Sequence, residues 1–278
     1  FSGSAAGVDL RAAISNVKIK KTGHDLKSLK VSFFKEGLIL NGLDFDTMIA
    51  AYLLNPSRAS YALTDLALEN LGEFIRDESL GTKDGLALVV KLKPVLKKAL
   101  EEKDLFRLFT DLEMPLVSIL AVMEQDGIKL DLDLLKNLSR DIEKRLIKLI
   151  ADIYEASGTQ FNINSPKQLG QVLFGKLNLP IIKKTKTGPS TDEEVLKRLA
   201  DKHCLPAFLL EYRQLTKLKN TYVDALPKSV REDGRIHSTF NVEGAATGRL
   251  SSQNPNLQNI PIRGQLGGEI RKAFVAPK

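Results

Sequence analysis

Cysteine is almost absent: Cys204 is the single one in 278 residues. That excludes an internal disulfide and any zinc site built from several cysteines. Within the stretch HCLPAF the residue reads as a small buried hydrophobe. Histidine is scarce too. His24, His203 and His237 stand far apart, without the spacing of metal ligands, and are read as non-metal residues. No apolar run approaches the length of a bilayer span, and no signal-peptide pattern opens the chain. No membrane partner is therefore expected. With the lone cysteine this favours the cytoplasm, in association with the nucleoid if the source is bacterial. Internal repeats and low-complexity tracts are missing as well. The first residue is Phe1 rather than methionine, from which a fragment or a processed form is expected.

What is present is an ordinary soluble balance, 43% hydrophobic and 27% charged residues. The length suits one large domain or two to three small ones. A formal charge of +7 admits polyanions as partners, because lysines and arginines gathered on one face release counterions from phosphate. Charge alone does not single out nucleic acid.

Three regions separate by pattern, and together they predict a mixed α and β chain that is mainly helical. Over residues 1–105 short apolar runs mix with helices, an α/β pattern. KIKKTGHDL reads as strand or loop, and GLILNGLDFDTMIAAYLLNP leads into an apolar helix that stops at Asn55-Pro56. SYALTDLALENLG is a short helix with Gly72 as C-cap.

Residues 106–228 are helical. Leu135, Leu138, Ile142, Leu146, Leu149 and Ile153 recur in steps of three and four, with Arg140, Lys144 and Lys148 on other faces. Phe208, Tyr212, Leu215, Leu218 and Tyr222 form a second such stripe, so two long antiparallel helices should pack together. Between them, NSPKQL offers Ser165 as N-cap, Pro166 as first helical residue and Gln168 as capping partner. KKTKTGPSTDEEV is a basic loop ending in another cap, Ser190 or Thr191 with Glu193 or Glu194. This basic tip either closes on something anionic or is a solvated loop.

Residues 229–278 begin with an Asp233-Gly234 turn. One strand should follow, alternating Ile236, Ser238 and Phe240 against His237, Thr239 and Asn241. A loop and a short helix come next, and a strand over Ala273–Ala276 ends the chain.

The loop reads TGRLSSQNPNLQNIPIR, from Thr247 to Arg263. It is rich in amides and hydroxyls, and two arginines bracket it. A duplex seen from its minor groove suits such a set, since every base pair there offers acceptors with little sequence discrimination. Donors such as Arg249, Asn256, Gln258 and Asn259 could test pair geometry without choosing a sequence. A lost charge-assisted hydrogen bond costs about 1.5–3 kcal/mol, enough to sense a mispair. Arg263 faces elsewhere, and a triphosphate suits its planar fork of donors. The plain alternative is a loop whose side chains satisfy their own backbone turns.

ATGRLSSQNPNLQNIPIR, with EIRKAFVAP after it, resembles the signature that opens the palm of family A DNA polymerases, the bacterial DNA polymerase I type. EMPLVSILAVMEQDGIKLD resembles the start of that family's thumb. FNINSPKQLGQVLF, GPSTDEEVLKRLA, LLEYRQLTKLKNTYVDALP and GRIHSTF follow in the family's order, covering about residues 106–278. Upstream, GHDLKSLK and DFDTMIAAYLLNPS resemble the later part of its 3′–5′ exonuclease domain.

The resemblance implies a partial, degenerate exonuclease-like α/β domain at 1–105, a thumb of long antiparallel helices at 106–228 and the start of a β-containing palm at 229–278. It implies that Arg249 probes the primer-terminal pair, that Asn256, Gln258 and Asn259 line primer-template, and that Arg263 approaches the incoming nucleotide. Lys217, Lys219, Asn220 and Thr221 would track the duplex, as would Lys183, Lys184 and Lys186 of the basic tip.

Two departures from the family matter. The exonuclease needs carboxylates holding two metal ions. Its early D-x-E motif is missing, and the DLE at Asp111–Glu113 is misplaced at the start of the thumb. Leu29 stands where the second motif has its aspartate, and LALVVKLKPVL carries neither the tyrosine nor the aspartate of the third. Asp44 and Asp46 alone cannot hold two metals, so no proofreading is expected. The polymerase also uses two ions, Mg²⁺, on palm aspartates that follow AFVAP in the family. No metal ligand and no catalytic residue is therefore expected within this chain, which alone should not polymerise.

The leading expectation is the duplex-gripping, nucleotide-site portion of a DNA-directed DNA polymerase. Its partners would be primer-template DNA, a deoxynucleoside triphosphate and, where the enzyme is split, a second polypeptide carrying the rest of palm and fingers. The alternatives are a non-catalytic duplex-binding module and, third, a 3′–5′ exonuclease.

Overall fold

The structure, a computed structural model, describes residues 9–75, 81–186, 188–262 and 265–276. Among these the chain folds into two compact units.

The first unit takes residues up to 127 and returns for 237–259. It opens with helix α1 (Leu10–Ser15), strand β1 (Lys21–Gly23), helix α2 (Leu26–Lys35), strand β2 (Leu43–Asp46) and helix α3 (Thr47–Leu54). β1 and β2 pair in parallel. As expected, α3 ends with Asn55 as C-cap, before Pro56. Helix α4 (Leu63–Leu71) ends on Gly72 at φ 69°, the left-handed cap that glycine takes at least cost. The long helix α5 (Thr82–Glu102) buries Leu88, Leu92, Leu96 and Leu100 along one stripe. Helix α6 (Phe106–Leu108) runs through a π-helical turn, Phe109–Glu113, into α7 (Met114–Asp126). The core of this unit gathers Phe45, Ile49, Tyr52, Leu92, Phe109, Val117, Leu120 and Val242. Its Phe45 and Phe109 rings lie 4.8 Å apart.

The second unit takes 128–236 and 260 onward. Strand β3 (Ile128–Leu130) leads into α8 (Leu132–Ser157), 26 residues long and so about 39 Å. Asp131 caps α8 by accepting from Leu134 N at 2.9 Å. Helix α9 (Pro166–Gly170) continues as a π-helical segment, Gln171–Lys176. Strands β4 (Lys184–Thr185) and β5 (Gly188–Pro189) follow, then α10 (Glu193–Leu199) and α11 (Cys204–Leu218), which passes into a π-helical turn, Lys219–Val223.

α8 and α11 are antiparallel, as their cross-links require: Arg145 reaches Glu211 at 2.6 Å, while Ser139, further back on α8, bonds Asp224 at 2.8 Å. The α8 stripe is buried at five of its six expected positions, Leu138 being half-buried. On α11 the seam runs through Leu205, Leu209, Tyr212, Leu215 and Leu218. Phe208 is only half-buried. One residue of offset turns a side chain about 100° around the axis, so Leu209 takes the place expected for Phe208.

Strand β6 (Arg235–Ile236), strand β7 (Thr239–Asn241), strand β8 (Ser251–Gln253), helix α12 (Gln265–Lys272) and strand β9 (Phe274–Val275) complete the chain. β6 and β9 flank β3 in an antiparallel sheet of the second unit, and β7 pairs antiparallel with β8 in the first.

Five readings change. The strand expected over 236–241 is two strands, broken at His237 and Ser238, because the chain passes there from one unit to the other. The short helix expected in the amide-rich stretch is replaced by β8 and turns, since Ser251–Gln253 finds a strand partner in β7. The basic loop contains a short antiparallel pair of strands, Lys184 opposite Pro189 and Thr185 opposite Gly188. The cap of α10 is Asp192, which accepts from Val195 N at 2.9 Å, while Ser190 Oγ accepts from Asp192 N instead. Cys204 is exposed rather than buried, because it is the first residue of α11 and the buried seam begins one position later at Leu205.

Candidate nucleic-acid interface

The β7–β8 hairpin sets the amide-rich stretch. Its register places Phe240 opposite Ser252. Buried Ser252 uses its hydroxyl twice: it accepts from Leu257 N at 2.9 Å and lies 3.3 Å from Asn256 Oδ1. Ser238 Oγ, also buried, sits 3.1 Å from the Gln253 carbonyl and 2.7 Å from that of Pro255. These two hydroxyls fold residues 253–258 back onto the hairpin.

Much of the amide chemistry is consequently internal. Asn256 Oδ1 accepts from Gln258 N at 3.0 Å, and Gln258 Nε2 donates to the Leu250 carbonyl at 2.6 Å. For these groups the self-satisfied loop is what the structure contains. The amide nitrogen of Asn256 makes no hydrogen bond among the described residues, and Asn256, Gln258 and Asn259 are all exposed. Arg249 differs. It is exposed, and its guanidinium donates to no group among the described residues. Arg263 lies outside the described residues.

The hairpin is supported by residues that sequence reasoning passed over. Glu124 Oε1 accepts from Phe240 N at 2.8 Å, and the Glu124 carbonyl accepts from His237 Nδ1 at 2.7 Å. A signal was there: Glu124 continues the buried stripe Val117, Leu120, Ala121 at helical spacing, where a carboxylate needs a partner.

The lysines divide. Lys184 and Lys186 are exposed in the tip, as are Lys217 at the end of α11 and Asn220 and Thr221 in the π-helical turn that follows. Lys183 is bound to Asp192 at 2.8 Å, and that bond, with the Val195 and Ser190 groups, holds the Asp192 carboxyl down to about 2. Lys219 is turned inward: its ammonium lies 2.7 Å from Asp224, 3.0 Å from Ser139 and 3.3 Å from Glu143. Its pKa is raised by these carboxylates, Asp224 first. A cleft of about 900 Å³ in the tip is lined by Ser165, Lys167, Gln171, Ser190, Thr191 and Arg213 among others.

In the first unit the two carboxylates of DFD are employed. Asp44 pairs with Lys93 at 2.7 Å. Asp46 is 1% exposed and joins two helix starts. It accepts from Leu26 N at 2.6 Å and Asp25 N at 3.1 Å, and from Met48 N at 2.9 Å and Ile49 N at 3.4 Å. Burial, aided by the Asp25 charge, pushes its carboxyl up to about 6 against those amides. Leu29 is exposed on α2, and Asp111 is paired with Arg107 at 3.2 Å. Among the described residues no group of three or more His, Cys, Asp or Glu side chains is arranged to hold a metal. The two implied Mg²⁺ ions thus do not fit any cluster among the described residues.

A family model described as DNA polymerase family A matches residues 132–278, and one described as DNA polymerase I, ribonuclease H-like domain, matches residues 4–79. DNA polymerase I of Bacillus subtilis (strain 168) is 42% identical over 284 residues, covering 94% of this chain and 32% of that protein. DNA polymerase I of Geobacillus stearothermophilus is 42% identical over 275 residues, covering 92% of this chain and 31% of that protein. The chain spans about a third of the length of these curated relatives. Among solved structures, the POL domain of Pol1 from M. smegmatis, in complex with DNA primer-template and dNTP, aligns with a TM-score of 0.88 at 40% identity. That alignment covers 97% of this chain and 48% of the other. With more than half its length matched by the family model, the chain belongs to DNA polymerase family A.

Proposed function

We propose that these 278 residues are the duplex-gripping and nucleotide-site portion of a DNA-directed DNA polymerase acting in the cytoplasm. One observation carries the reading: the likeness to a polymerase domain holding primer-template and dNTP extends over 97% of this chain. In this reading residues 1–105 are a scaffold descended from an exonuclease, 106–228 the thumb and 229–278 the first part of the palm. Arg249 contacts the primer-terminal pair in the minor groove, and Asn256, Gln258 and Asn259 line the duplex. Arg263 meets the triphosphate. Lys184, Lys186 and Lys217 neutralise backbone phosphate, with Asn220 and Thr221 beside them. Lys183 and Lys219 reach DNA only by leaving Asp192 and Asp224.

Bond-making belongs to carboxylates outside these residues, which would hold the Mg²⁺ ions, whether in the same polypeptide or in a second one. The exonuclease-like region does not hydrolyse DNA. Asp44 and Asp46 support this, since each is held by groups a metal would have to displace.

The test has two arms. The 278-residue chain should bind recessed-end duplexes without sequence preference, weakening steeply with salt. The chain completed with the family's remaining palm and fingers should extend primers with Mg²⁺. No affinity at low ionic strength, or no extension by the completed polypeptide, overturns the reading.

A further inference from the structure

Tyr52 lies on α3 with 2% of its surface exposed, in the core that also holds Val242. Its hydroxyl donates to the Ala245 carbonyl at 2.8 Å, a contact across 193 residues of chain. That carbonyl is already an acceptor, because Gly248 N–H closes a turn on it at 3.3 Å. Gly248 takes φ 76°, a conformation that side-chain-bearing residues rarely adopt. The next residue is Arg249. The guanidinium with no partner among the described residues therefore leaves from a turn whose first carbonyl is pinned to a buried ring.

A buried tyrosine needs some partner for its hydroxyl, and any carbonyl would satisfy it. Its neighbour Tyr61, 5.9 Å away ring to ring, uses the carbonyl of Asn55, which belongs to the end of α3. Tyr52 instead spends its hydroxyl on the turn before Arg249. Burial, with the carboxylates of Glu113 and Glu243 nearby, raises the Tyr52 pKa, so the hydroxyl remains a donor across ordinary pH. An exposed arginine has many rotamers, and a probe of base-pair geometry works only if its backbone origin is fixed.

We propose that Tyr52 is a positioning residue for Arg249: through the Ala245 carbonyl, its hydroxyl fixes the turn from which Arg249 reaches the primer-terminal pair. The exonuclease-like region then contributes to synthesis by geometry. This inference rests on the reading of Arg249 given above.

The test is a double-mutant cycle in the complete polymerase chain, using Tyr52→Phe, Arg249→Ala and both together, with Tyr61→Phe as control. Tyr52→Phe should lower the rate of extension from matched primer ends by about threefold to tenfold, with KM for the nucleotide unchanged. It should add nothing in the Arg249→Ala background. Tyr61→Phe, which deletes a similar bond, should leave extension as it was.

If Arg249→Ala extends normally, the reading of Arg249 fails. If Arg249→Ala is impaired while Tyr52→Phe is not, the positioning role fails. Full additivity, or an equal loss from Tyr61→Phe, overturns it too. Should Tyr52→Phe not fold, amide exchange on the unaltered chain decides. Gly248 N–H should exchange on the order of a hundredfold slower than an unstructured amide, and free exchange overturns the proposal.

Discussion

Lys27 Nζ lies 2.6 Å from Glu124 Oε1, with both side chains less than 10% exposed. The same carboxylate oxygen receives Phe240 N–H at 2.8 Å. One buried ion pair thus ties α2 to α7 and carries the first strand of the hairpin that presents Arg249. Removing one partner of such a pair strands a charge in the interior, which costs about 3–5 kcal/mol. Lys27→Met should lower unfolding free energy by that order in urea titration. Adding Glu124→Gln should recover much of it, because the amide oxygen still accepts from Phe240. Adding Glu124→Leu should recover less, by about 1–3 kcal/mol, since the Phe240 amide is then buried without a partner. Equal recovery by both would show that the Phe240 bond is immaterial.

Asp46 makes a second prediction, on pH. Its carboxyl is raised from 3.8 to about 6 in the folded chain. The folded state therefore holds a proton that the unfolded state has lost between those values, and this contribution to stability disappears as pH rises through about 6. The shift corresponds to about 3 kcal/mol. The stability of the native chain relative to Asp46→Asn should fall between pH 4 and pH 7 and then level off. A flat difference across that window, measured by denaturant unfolding, would contradict the assignment. If Asp46→Ala abolished a Mg²⁺-dependent nuclease activity of the pure chain, the scaffold role proposed for this region would be wrong.

The lysines supply a third. Lys184 is exposed in the tip, while Lys219 holds α8 to the end of α11 through Ser139, Glu143 and Asp224. Lys184→Ala should reduce the salt slope of duplex binding by about one and leave thermal unfolding alone. Lys219→Ala should do the reverse, lowering the melting temperature by several degrees while barely moving the slope. Equal effects on both measurements would dissolve the distinction.

The long helices were legible because their signal is collective. Six apolar positions on α8 agree on one face, so no single residue decides. Where one residue does decide, reading from sequence slipped. Asp192 outcompeted Ser190 and Thr191 for the α10 cap, because a charge-assisted bond from a helix-start amide to its carboxylate is stronger than one to a neutral hydroxyl, and the carboxylate gains from Lys183. The break at His237 and Ser238 was hidden for a different reason: the alternation continues through it, and only partners distant in sequence separate β6 from β7. At the site, motif order marked the stretch from Thr247 onward. It did not reveal that Asn256 Oδ1 and Gln258 Nε2 serve their own backbone while Arg249 has no partner among the described residues, since a loop's internal bonds depend on its fold.

Arg249 carries the last prediction. Its side chain is exposed and unpaired among the described residues, so Arg249→Ala should change stability by no more than about 0.5 kcal/mol. In the complete polymerase, extension from a matched primer end should fall by about 10- to 150-fold, the kinetic equivalent of losing one charge-assisted hydrogen bond. A mispaired end has displaced the minor-groove acceptor already, so it has less to lose, and discrimination between matched and mispaired ends should narrow. Arg249→Lys keeps the charge but not the planar fork, and should restore only part of the matched rate. Steady-state extension from the two kinds of primer end measures all of this. A loss equal for matched and mispaired ends would mean that Arg249 meets the backbone rather than the base pair.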